Sequence, residues 1–447
     1  MTESIAAQRE STLERLFHGY EGPPFAIRLW DGWQWNSPGH ASPRCTLVFH
    51  SEDALHALMA HPNEVTLGER FLNKEIDVEG DLFAVFDMAE YVFHQPRTSG
   101  QRLLEASAAL LAEVKEWWNK GSAHTPERDG SAISYHYDQP AEFYRAWLGE
   151  TMVYSCAYFK SKSDTLDTAQ TNKLEMICRK LRLQPGEMFM DIGCGWGSLV
   201  MHAASQHQVF AQGITLSQVQ ARVAEHRLET AHLTQSSGVA LLDYRLAPKQ
   251  FHGLDKIASV GMFEHVGLCN LRQYFRTVYN LLKPGGVFLN HGIARAWKAE
   301  EDEHSLSEHL APSLHAAHPS KPKNVSFMDK YVFPDGELVT LAQAVQAAES
   351  AGFEVRDVEN LREHYELTLR RWTEALQDHT HEVLQYVSER VYRIWLLYMA
   401  GCAAAFRRGD IALYQMLLSR PDHGRTSLPL TRDDLYRDSK ACERRAA

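Results

Sequence analysis

One glycine-rich stretch has the residue types needed to hold a small ligand. The segment MDIGCGWGSL at 190–199 places Asp191 and three glycines, at 193, 195 and 197, after an apolar run. Glycine has no Cβ, so such a loop lets the backbone approach a ligand closely. The spacing does not meet the G-x-G-x-x-G pattern of dinucleotide binding, and the loop lacks the Gly-Lys-Ser/Thr of a phosphate-binding loop. These two kinds of nucleotide site are therefore not indicated.

Two more polar segments follow later apolar runs. GITLSQVQ at 213–220 stands where a ribose or an amino-acid group would be bound, and LLDYR at 241–245 offers Asp243 and Tyr244 to flank an adenine. Ligands of open parallel sheets bind at the carboxyl ends of the strands. With the glycine loop, the segments match the cofactor loops of S-adenosylmethionine-dependent methyltransferases. Ordinary turns between strands and helices are the structural alternative.

Three further residues have side chains suited to acid–base or nucleophilic chemistry. Glu264 follows an apolar strand in VGMFEHVG, and its apolar neighbours are expected to perturb the pKa of its carboxyl. The alternative is a purely structural role, in which Glu264 caps the next helix or pairs with His265. Taken alone, His291 is typical of a buried core histidine, and Cys156 in YSCAYF is typical of a buried structural cysteine.

The elements that must position these residues alternate along the chain beyond residue 171. Amphipathic helices are predicted over 171–183 and 196–207, from Ser217 and from about residue 270. Apolar strands are predicted over 187–195, 209–216, 239–244, 256–263 and 282–293. This alternation predicts an α/β fold with a doubly wound parallel sheet.

The chain is predicted to divide into four segments. They are a small α+β domain (1–118), a polar, Gly-containing linker (119–131), a catalytic domain (132–425) and a C-terminal tail (426–447). Within the catalytic domain, 338–420 is predicted to be mainly helical. Residues 298–324 contain acidic residues, four histidines and prolines, which is typical of an inserted loop. The histidines of this insertion are either metal ligands or part of a solvated loop.

Composition excludes several classes of protein. The chain has 46 Lys+Arg and 57 Asp+Glu, a net charge of −11, which argues against non-specific nucleic-acid binding. Seven scattered cysteines, without the paired spacing of metal ligands, favour a reducing compartment over a disulfide scaffold or a zinc site. The start MTESIAAQREST has no apolar signal segment, and the longest apolar run, Ile394 to Phe406, has 13 residues. We therefore expect a soluble, cytoplasmic protein without a bound metal.

An ordered series of motifs over about 131–420 resembles the cyclopropane-fatty-acyl-phospholipid synthase family, which includes the mycolic acid cyclopropane synthases. YSCAYF at 154–159 and GMFEHVG at 261–267 are its most specific elements. The rest of the series is HYD at 136–138, DIGCGWG, GITLSQVQ, LKPGG, His291-Gly-Ile293, KYVFPDGEL at 330–338 and YMAGCAAAFRRGDIALYQ at 398–415. The resemblance implies a Rossmann-like class I methyltransferase domain with a helical lid.

The same resemblance implies an activity and a set of site residues. The family transfers a methylene group derived from S-adenosylmethionine to a cis double bond of a lipid acyl chain, with a bicarbonate ion as the base. By similarity, the bicarbonate cage is formed by Cys156, Glu264, His291, Ile293 and Tyr398. The cofactor would be held by Tyr154, Ser155, Gly193, Gly195, Thr215, Gln220, Asp243 and Tyr244, and Asp191 and Leu216 in the same motifs complete the predicted set.

Some features leave alternatives open. The family often has HYDxGN where this chain has HYDQPAEFY at 136–144, and the insertion at 298–324 falls where the family controls acyl access. Methyl or methylene branching of the same alkene, a small-molecule methyltransferase and a non-catalytic lipid-binding protein are the competing functions. The expected partners are unsaturated phospholipid acyl chains, which the protein would reach by peripheral association with the inner face of the membrane. A second copy of the chain, in a homodimer, is a further predicted partner. Arg407-Arg408 is either a membrane-binding patch or a solvated helix end.

Overall fold

A computed structural model describes residues 2–38, 42–61, 63–93, 139–296, 327–332 and 337–436. The chain forms two compact units. One comprises Met1–Ala123, Lys298–Pro334 and Val387–Ala405, and the other comprises His124–Trp297, Asp335–Tyr386 and Phe406–Ala447. The predicted linker 119–131 and insertion 298–324 lie outside the described residues, as does HYD at 136–138, so the predicted domain boundaries stay predictions.

The first unit contains a small mixed sheet. Its strands have the order β2-β1-β3-β4, with β1 parallel to β3 and the other neighbours antiparallel. Alternating strand residues bury Phe25, Ile27 and Leu47 in a common core. The elements of this unit are α1 (Thr2–Leu16), β1 (Phe25–Arg28), β2 (Gln34–Asn36), β3 (Cys45–Phe49), α2 (Glu52–Ala60), α3 (Glu64–Leu72), β4 (Ile76–Gly80), α4 (Leu82–Phe93) and, from its later segments, α10 (Phe327–Tyr331) and most of α14 (Glu389–Arg408).

The second unit is built on a seven-stranded sheet with the order β10-β11-β9-β8-β5-β6-β7. The strands from β9 to β7 are parallel to one another, and β11 runs antiparallel to both of its neighbours. The strands are β5 (Met188–Ile192), β6 (Phe210–Thr215), β7 (Ser237–Leu241), β8 (Leu254–Val260), β9 (Leu282–Arg295), β10 (Glu354–Asn360) and β11 (Ile411–Ser419).

Helices cover both faces of this sheet, because consecutive strand residues are apolar on alternate sides. Phe189 packs in the core under α6, α7 and α8, whereas Met190 packs in the core under α9 and α11. The predicted doubly wound α/β fold is confirmed. The helices of this unit are α5 (Ala141–Leu148), α6 (Leu166–Leu181), α7 (Ser198–His207), α8 (Gln218–Thr230), α9 (Leu271–Leu281), α11 (Leu341–Ser350), α12 (Arg362–Asp378), α13 (Thr380–Val383) and α15 (Asp433–Tyr436).

The C-terminal region contains two strands that the sequence interpretation did not assign. Residues 338–420 are mainly helical, as predicted, but β10 and β11 complete the central sheet. Both strands are short compared with the helices beside them, and β10 carries charged residues along its length, so its alternation is weak. Within the described part of the chain, no helix is long and apolar enough to cross a membrane.

Candidate active site

The glycine loop turns sharply at the carboxyl end of β5. Gly193, Gly195 and Gly197 have φ values of +80°, +51° and +81°, which a side chain would strain. The amides of Gly193 and Cys194 both donate to the carbonyl of Ile214 on β6, at 2.9 and 3.0 Å. A Cβ on Gly193 would lie 2.8 Å from the Cβ of Met262, so glycine is required there by space as well as by φ.

The loop borders a cleft along the carboxyl ends of β5, β6, β7 and β8, as expected for a parallel sheet. Of the ten residues predicted to hold the cofactor, nine line this cleft. They are Tyr154, Ser155, Asp191, Gly193, Gly195, Thr215, Leu216, Gln220 and Tyr244. The tenth, Asp243, is held by Arg245, whose Nε and Nη2 donate to its two carboxylate oxygens at 2.9 and 2.6 Å.

The second cofactor segment is ordered by its own side chains. Ser217 caps α8, because its hydroxyl accepts from the amide of Gln220 at 3.2 Å. The hydroxyl of Thr215 donates to Oε1 of Gln220 at 3.0 Å and accepts from the amide of Ser217. These bonds fix both polar side chains at the cleft wall.

Two residues that the sequence interpretation missed support this cleft from α6. Lys173 Nζ donates to the hydroxyl of Ser155 at 2.9 Å, and Gln170 Nε2 donates to the carbonyl of Ser155 at 2.9 Å. Burial lowers the pKa of Lys173 to about 8 and raises the pKa of Asp191 to about 7. The negative charge of Asp191 partly offsets the lowering of the pKa of Lys173. The positive charge of Lys173 partly offsets the rise in the pKa of Asp191. The two buried groups behind the cofactor loops therefore influence each other's pKa.

A second polar cluster forms between the turn after β8 and strand β9. Glu264 lies in a short 3₁₀ turn, Phe263–His265, and its Oε1 accepts from the amide of Ile293 at 2.7 Å. Its Oε2 is buried and has no hydrogen-bond partner among the described residues. Burial raises the pKa of Glu264 to about 7, and the Ile293 amide opposes that rise. The expected perturbation of Glu264 is therefore present, with the physical cause that its apolar neighbours suggested.

His291 and Ile293 lie two residues apart on β9 and so point to the same face of the sheet. His291 is fully buried, and its Nδ1 lies 3.0 Å from Nε2 of Gln415 on β11. Its Nε2 has no hydrogen-bond partner in the part of the chain that the structure describes. Burial and the charges of Lys173 and Lys180 lower the pKa of His291 well below its usual range, so the ring is neutral.

The other two residues of the predicted anion cage are Cys156 and Tyr398. Cys156 is fully buried, and its thiol donates to the carbonyls of Ala157 and Leu361 at 3.3 and 3.8 Å. Burial raises the pKa of this thiol far above its usual range, so it is not a nucleophile. Tyr398 lies on α14 in the first unit, where its ring meets Trp395 edge to face. Its participation in the cage stays a prediction.

A group of possible metal ligands lies away from the cleft, between α6 and α7. Cys178, His202 and His207 bring their ligand atoms within 4.8 Å of one another. Oε2 of Glu175 lies 3.2 and 3.1 Å from the Nε2 atoms of the two histidines, whose hydrogen bonds lower the pKa of Glu175. These hydrogen bonds account for the arrangement without a metal.

The cleft residues fit S-adenosylmethionine. Its hydroxyl and ammonium groups suit the acidic and hydroxyl side chains there, Oδ1 of Asp191 is buried without a partner among the described residues, and the glycines leave room for close approach. A family model described as mycolic acid cyclopropane synthetase matches residues 124–416, and one for a domain of unknown function matches residues 12–94.

Similar proteins agree with this assignment. A protein of Pseudomonas putida named probable fatty acid methyltransferase is 38% identical over 93% of this chain and 96% of its own length. The cyclopropane-fatty-acyl-phospholipid synthase of Escherichia coli K12 is 38% identical over 64% of this chain and 66% of its own. The crystal structure of mycolic acid cyclopropane synthase CmaA1 complexed with SAH and CTAB is 32% identical, with a TM-score of 0.57 over 65% of this chain and 98% of that one. The chain therefore belongs to the mycolic acid cyclopropane synthetase family and is an S-adenosylmethionine-dependent methyltransferase.

Proposed function

We propose that this enzyme transfers a methylene group from S-adenosylmethionine to the cis double bond of an unsaturated phospholipid acyl chain and closes a cyclopropane ring, with a bound bicarbonate ion as the base. The observation that carries the proposal is the Glu264–Ile293 pair, which leaves one buried carboxyl oxygen without a partner among the described residues. The name of the Escherichia coli relative supports the substrate class.

The chemistry explains why such a site is useful. An alkene is a weak nucleophile, so the sulfonium methyl group that the bound cofactor supplies must be held in line with it. The carbon skeleton then carries positive charge, and a proton must leave the transferred methyl before the ring can close. Excluding water from the pocket protects this charge from capture. A small anion held beside Glu264 would accept that proton and would stabilise the positive charge.

The chain's own groups have distinct roles in this proposal. Glu264, with its pKa raised to about 7 by burial, orients the bicarbonate through a shared proton. His291 donates a hydrogen bond from Nε2, and Tyr398 donates one from its hydroxyl. Backbone groups at Cys156 and Ile293 complete the cage.

Methyl or methylene branching of an acyl chain is the second candidate function. It is favoured by the name of the Pseudomonas putida relative, a probable fatty acid methyltransferase, which matches nearly the whole chain. Both functions share the cofactor and the initial methyl transfer. They differ in which proton leaves and in whether a ring forms.

The substrate requires contact with a lipid surface, so we propose peripheral association with the inner face of the membrane. The net charge of −11 opposes simple attraction to anionic lipid, and binding would depend on apolar contacts. Arg408 lies 2.8 Å from Asp410, so the Arg407-Arg408 pair offers less free positive charge than its sequence suggested. A homodimer also stays a prediction, which light scattering of the purified protein tests.

The test is mass spectrometry of fatty acids after incubation with S-adenosylmethionine and vesicles of mono-unsaturated phospholipid. A gain of one CH₂ with a ring confirmed by fragmentation supports cyclopropanation. A gain of CH₂ with an alkene still present supports branching. No change in mass, in a sample that binds S-adenosylmethionine, rejects both acyl-chain functions.

A further inference from the structure

A row of buried polar side chains leads to His291 from the face of the sheet that α6 covers. Lys180 Nζ donates to Oε1 of Gln415 at 2.5 Å, and Nε2 of Gln415 lies 3.0 Å from Nδ1 of His291. Glu359 ends the row as the ion-pair partner of Lys180. Lys180 and Gln415 are each 1% exposed, and His291 is 0% exposed. The four residues come from α6, β11, β9 and β10, so the row depends on four separate elements.

The hydrogen-bonding capacity of each group determines the direction of every bond in this row. A lysine ammonium has only donors, so the side-chain oxygen of Gln415 must be the group that faces Lys180. The amide NH₂ of Gln415 then faces His291 and donates to Nδ1. A neutral imidazole carries one proton, and because Nδ1 accepts, that proton is on Nε2.

We propose that Lys180 and Gln415 are positioning residues that hold His291 in its Nε2–H tautomer, so that Nε2–H points out of the row as a fixed donor. This inference rests on the proposed function, because the bicarbonate ion is the acceptor that it assigns to that donor. It also explains why a lysine is buried on α6, where an apolar residue would pack at lower cost.

The charged groups around His291 favour a neutral ring. Lys173 and Lys180, both on α6, oppose a positive charge on the imidazole. Glu359 on β10 is occupied by its ion pair with Lys180, and Glu264 in the 3₁₀ turn is bonded to the amide of Ile293. A neutral ring has one donor, and its tautomer decides which nitrogen that is.

The direct test is the protonation state of the ring nitrogens, measured by NMR of protein labelled with ¹⁵N-histidine. The His291 signals are identified by their loss in His291→Asn. We expect an unprotonated Nδ1 and a protonated Nε2 in the wild-type enzyme without substrate. A protonated Nδ1 in the wild-type enzyme overturns the inference, and this measurement requires neither activity nor a variant of the row.

Two matched substitutions, one beside His291 and one at the far end of the row, should give different results. Gln415→Glu replaces the donor by a carboxylate that only accepts, so Nδ1 must gain a proton. At a pH where the ring is neutral, Nε2 then has no proton to donate, and we expect the KM for bicarbonate to rise about 10-fold, the value of one lost hydrogen bond. Glu359→Gln leaves Lys180 to donate to Gln415, so both the tautomer and the KM for bicarbonate should stay near those of the wild type.

The pH profile separates a positioning role from a merely structural one. At low pH the imidazole in Gln415→Glu takes up a second proton, so Nε2 can donate again. The ratio of the variant's KM for bicarbonate to that of the wild type should therefore grow as the pH rises. A KM ratio that is constant with pH, or an equal defect in Glu359→Gln, overturns the positioning role. If the tautomer changes as expected while the KM for bicarbonate is unaffected, the tautomer assignment stands and the proposed anion-binding role of His291 fails. An unchanged KM for S-adenosylmethionine in both variants is the control that they are folded.

Discussion

Gly292 lies directly against Phe263, and this contact brings the turn after β8 onto β9. A Cβ built on Gly292 would lie 2.8 Å from Cδ1 and 2.9 Å from Cβ of Phe263. Phe263 is the neighbour of Glu264, whose carboxylate accepts from the amide of Ile293. The absence of a side chain at position 292 thus allows the hydrogen bond between residues 264 and 293.

Gly292→Ala should therefore lower kcat without weakening cofactor binding. The added methyl group displaces the 263–265 turn, and a misplacement of about 1 Å at a catalytic group costs about 100-fold in rate. Turnover and S-adenosylmethionine affinity are measured on the same sample. A variant with normal kcat would show that the turn can move without affecting catalysis.

Glu264→Gln should retain cofactor binding and lose turnover. The amide is nearly the same size as the carboxyl but cannot exchange a proton with the bound anion, and the loss of acid–base function typically costs at least about 100-fold. The measurement is kcat with saturating bicarbonate, beside the Kd for S-adenosylmethionine. Glu382→Gln, the same change at an exposed position, is the control. Unchanged turnover in Glu264→Gln would exclude its role in the cage.

Gly193→Val should weaken S-adenosylmethionine binding by at least about 10-fold, because the side chain collides with Met262 and strains a left-handed residue. Gly186→Ala is the control, because it adds backbone strain without a collision. Gly186 has a φ of +83°, and a Cβ there would meet nothing within 4 Å. The control should lose about 1 kcal/mol of stability and keep its affinity. Intact affinity in Gly193→Val, measured by calorimetry, would mean that the cofactor lies elsewhere.

The stability that Asp191 and Glu264 contribute to the cofactor-free enzyme should fall as the pH rises from about 4 to about 7. Burial raises the pKa values of Asp191 and Glu264 from 3.8 and 4.5 to about 7, so the folded state holds protons that the unfolded state has already released. Stability from these groups is complete below the unfolded pKa values and is lost as the pH passes the folded ones. Each group contributes on the order of 3 kcal/mol to this loss.

Urea unfolding at several pH values measures this slope. Asp191→Asn and Glu264→Gln should each remove from the slope the fall that its own carboxyl contributes, because an amide does not titrate. A slope unchanged in both variants would show that neither carboxyl has a raised pKa in the folded state.

The five parallel strands of the sheet and the loops that border the cleft were predictable from the sequence, because their signals are local. Glycines at 193 and 195 and the polar residues after β6 and β7 follow apolar strands directly, and parallel strands bring such ends together. Glu264 was also predictable, since it follows β8 in an apolar setting. The motif resemblance, and not spacing, supplied His291 and Ile293.

The residues that the sequence interpretation missed are polar side chains on a helix or a strand, and such side chains usually lie at the surface. Gln170, Lys173 and Lys180 resemble the solvated face of α6, yet all three are buried. Their spacing of three and seven places them on one stripe with Ile177, which was the available signal. No local signal pointed to Gln415, because its partners Lys180 and His291 are distant in sequence.

The position of β11 also constrains when the protein can fold. This strand is the last of the sheet in the sequence, yet it lies between β9 and β10, and it carries the partner of His291. During synthesis, β9 and β10 both leave the ribosome with an open edge, and such edges pair readily with other chains. Only when residues up to Ser419 have emerged can the sheet close and the imidazole acquire its orientation. A nascent chain that stops short of this strand should therefore be prone to aggregation and inactive, however complete its cofactor loops are.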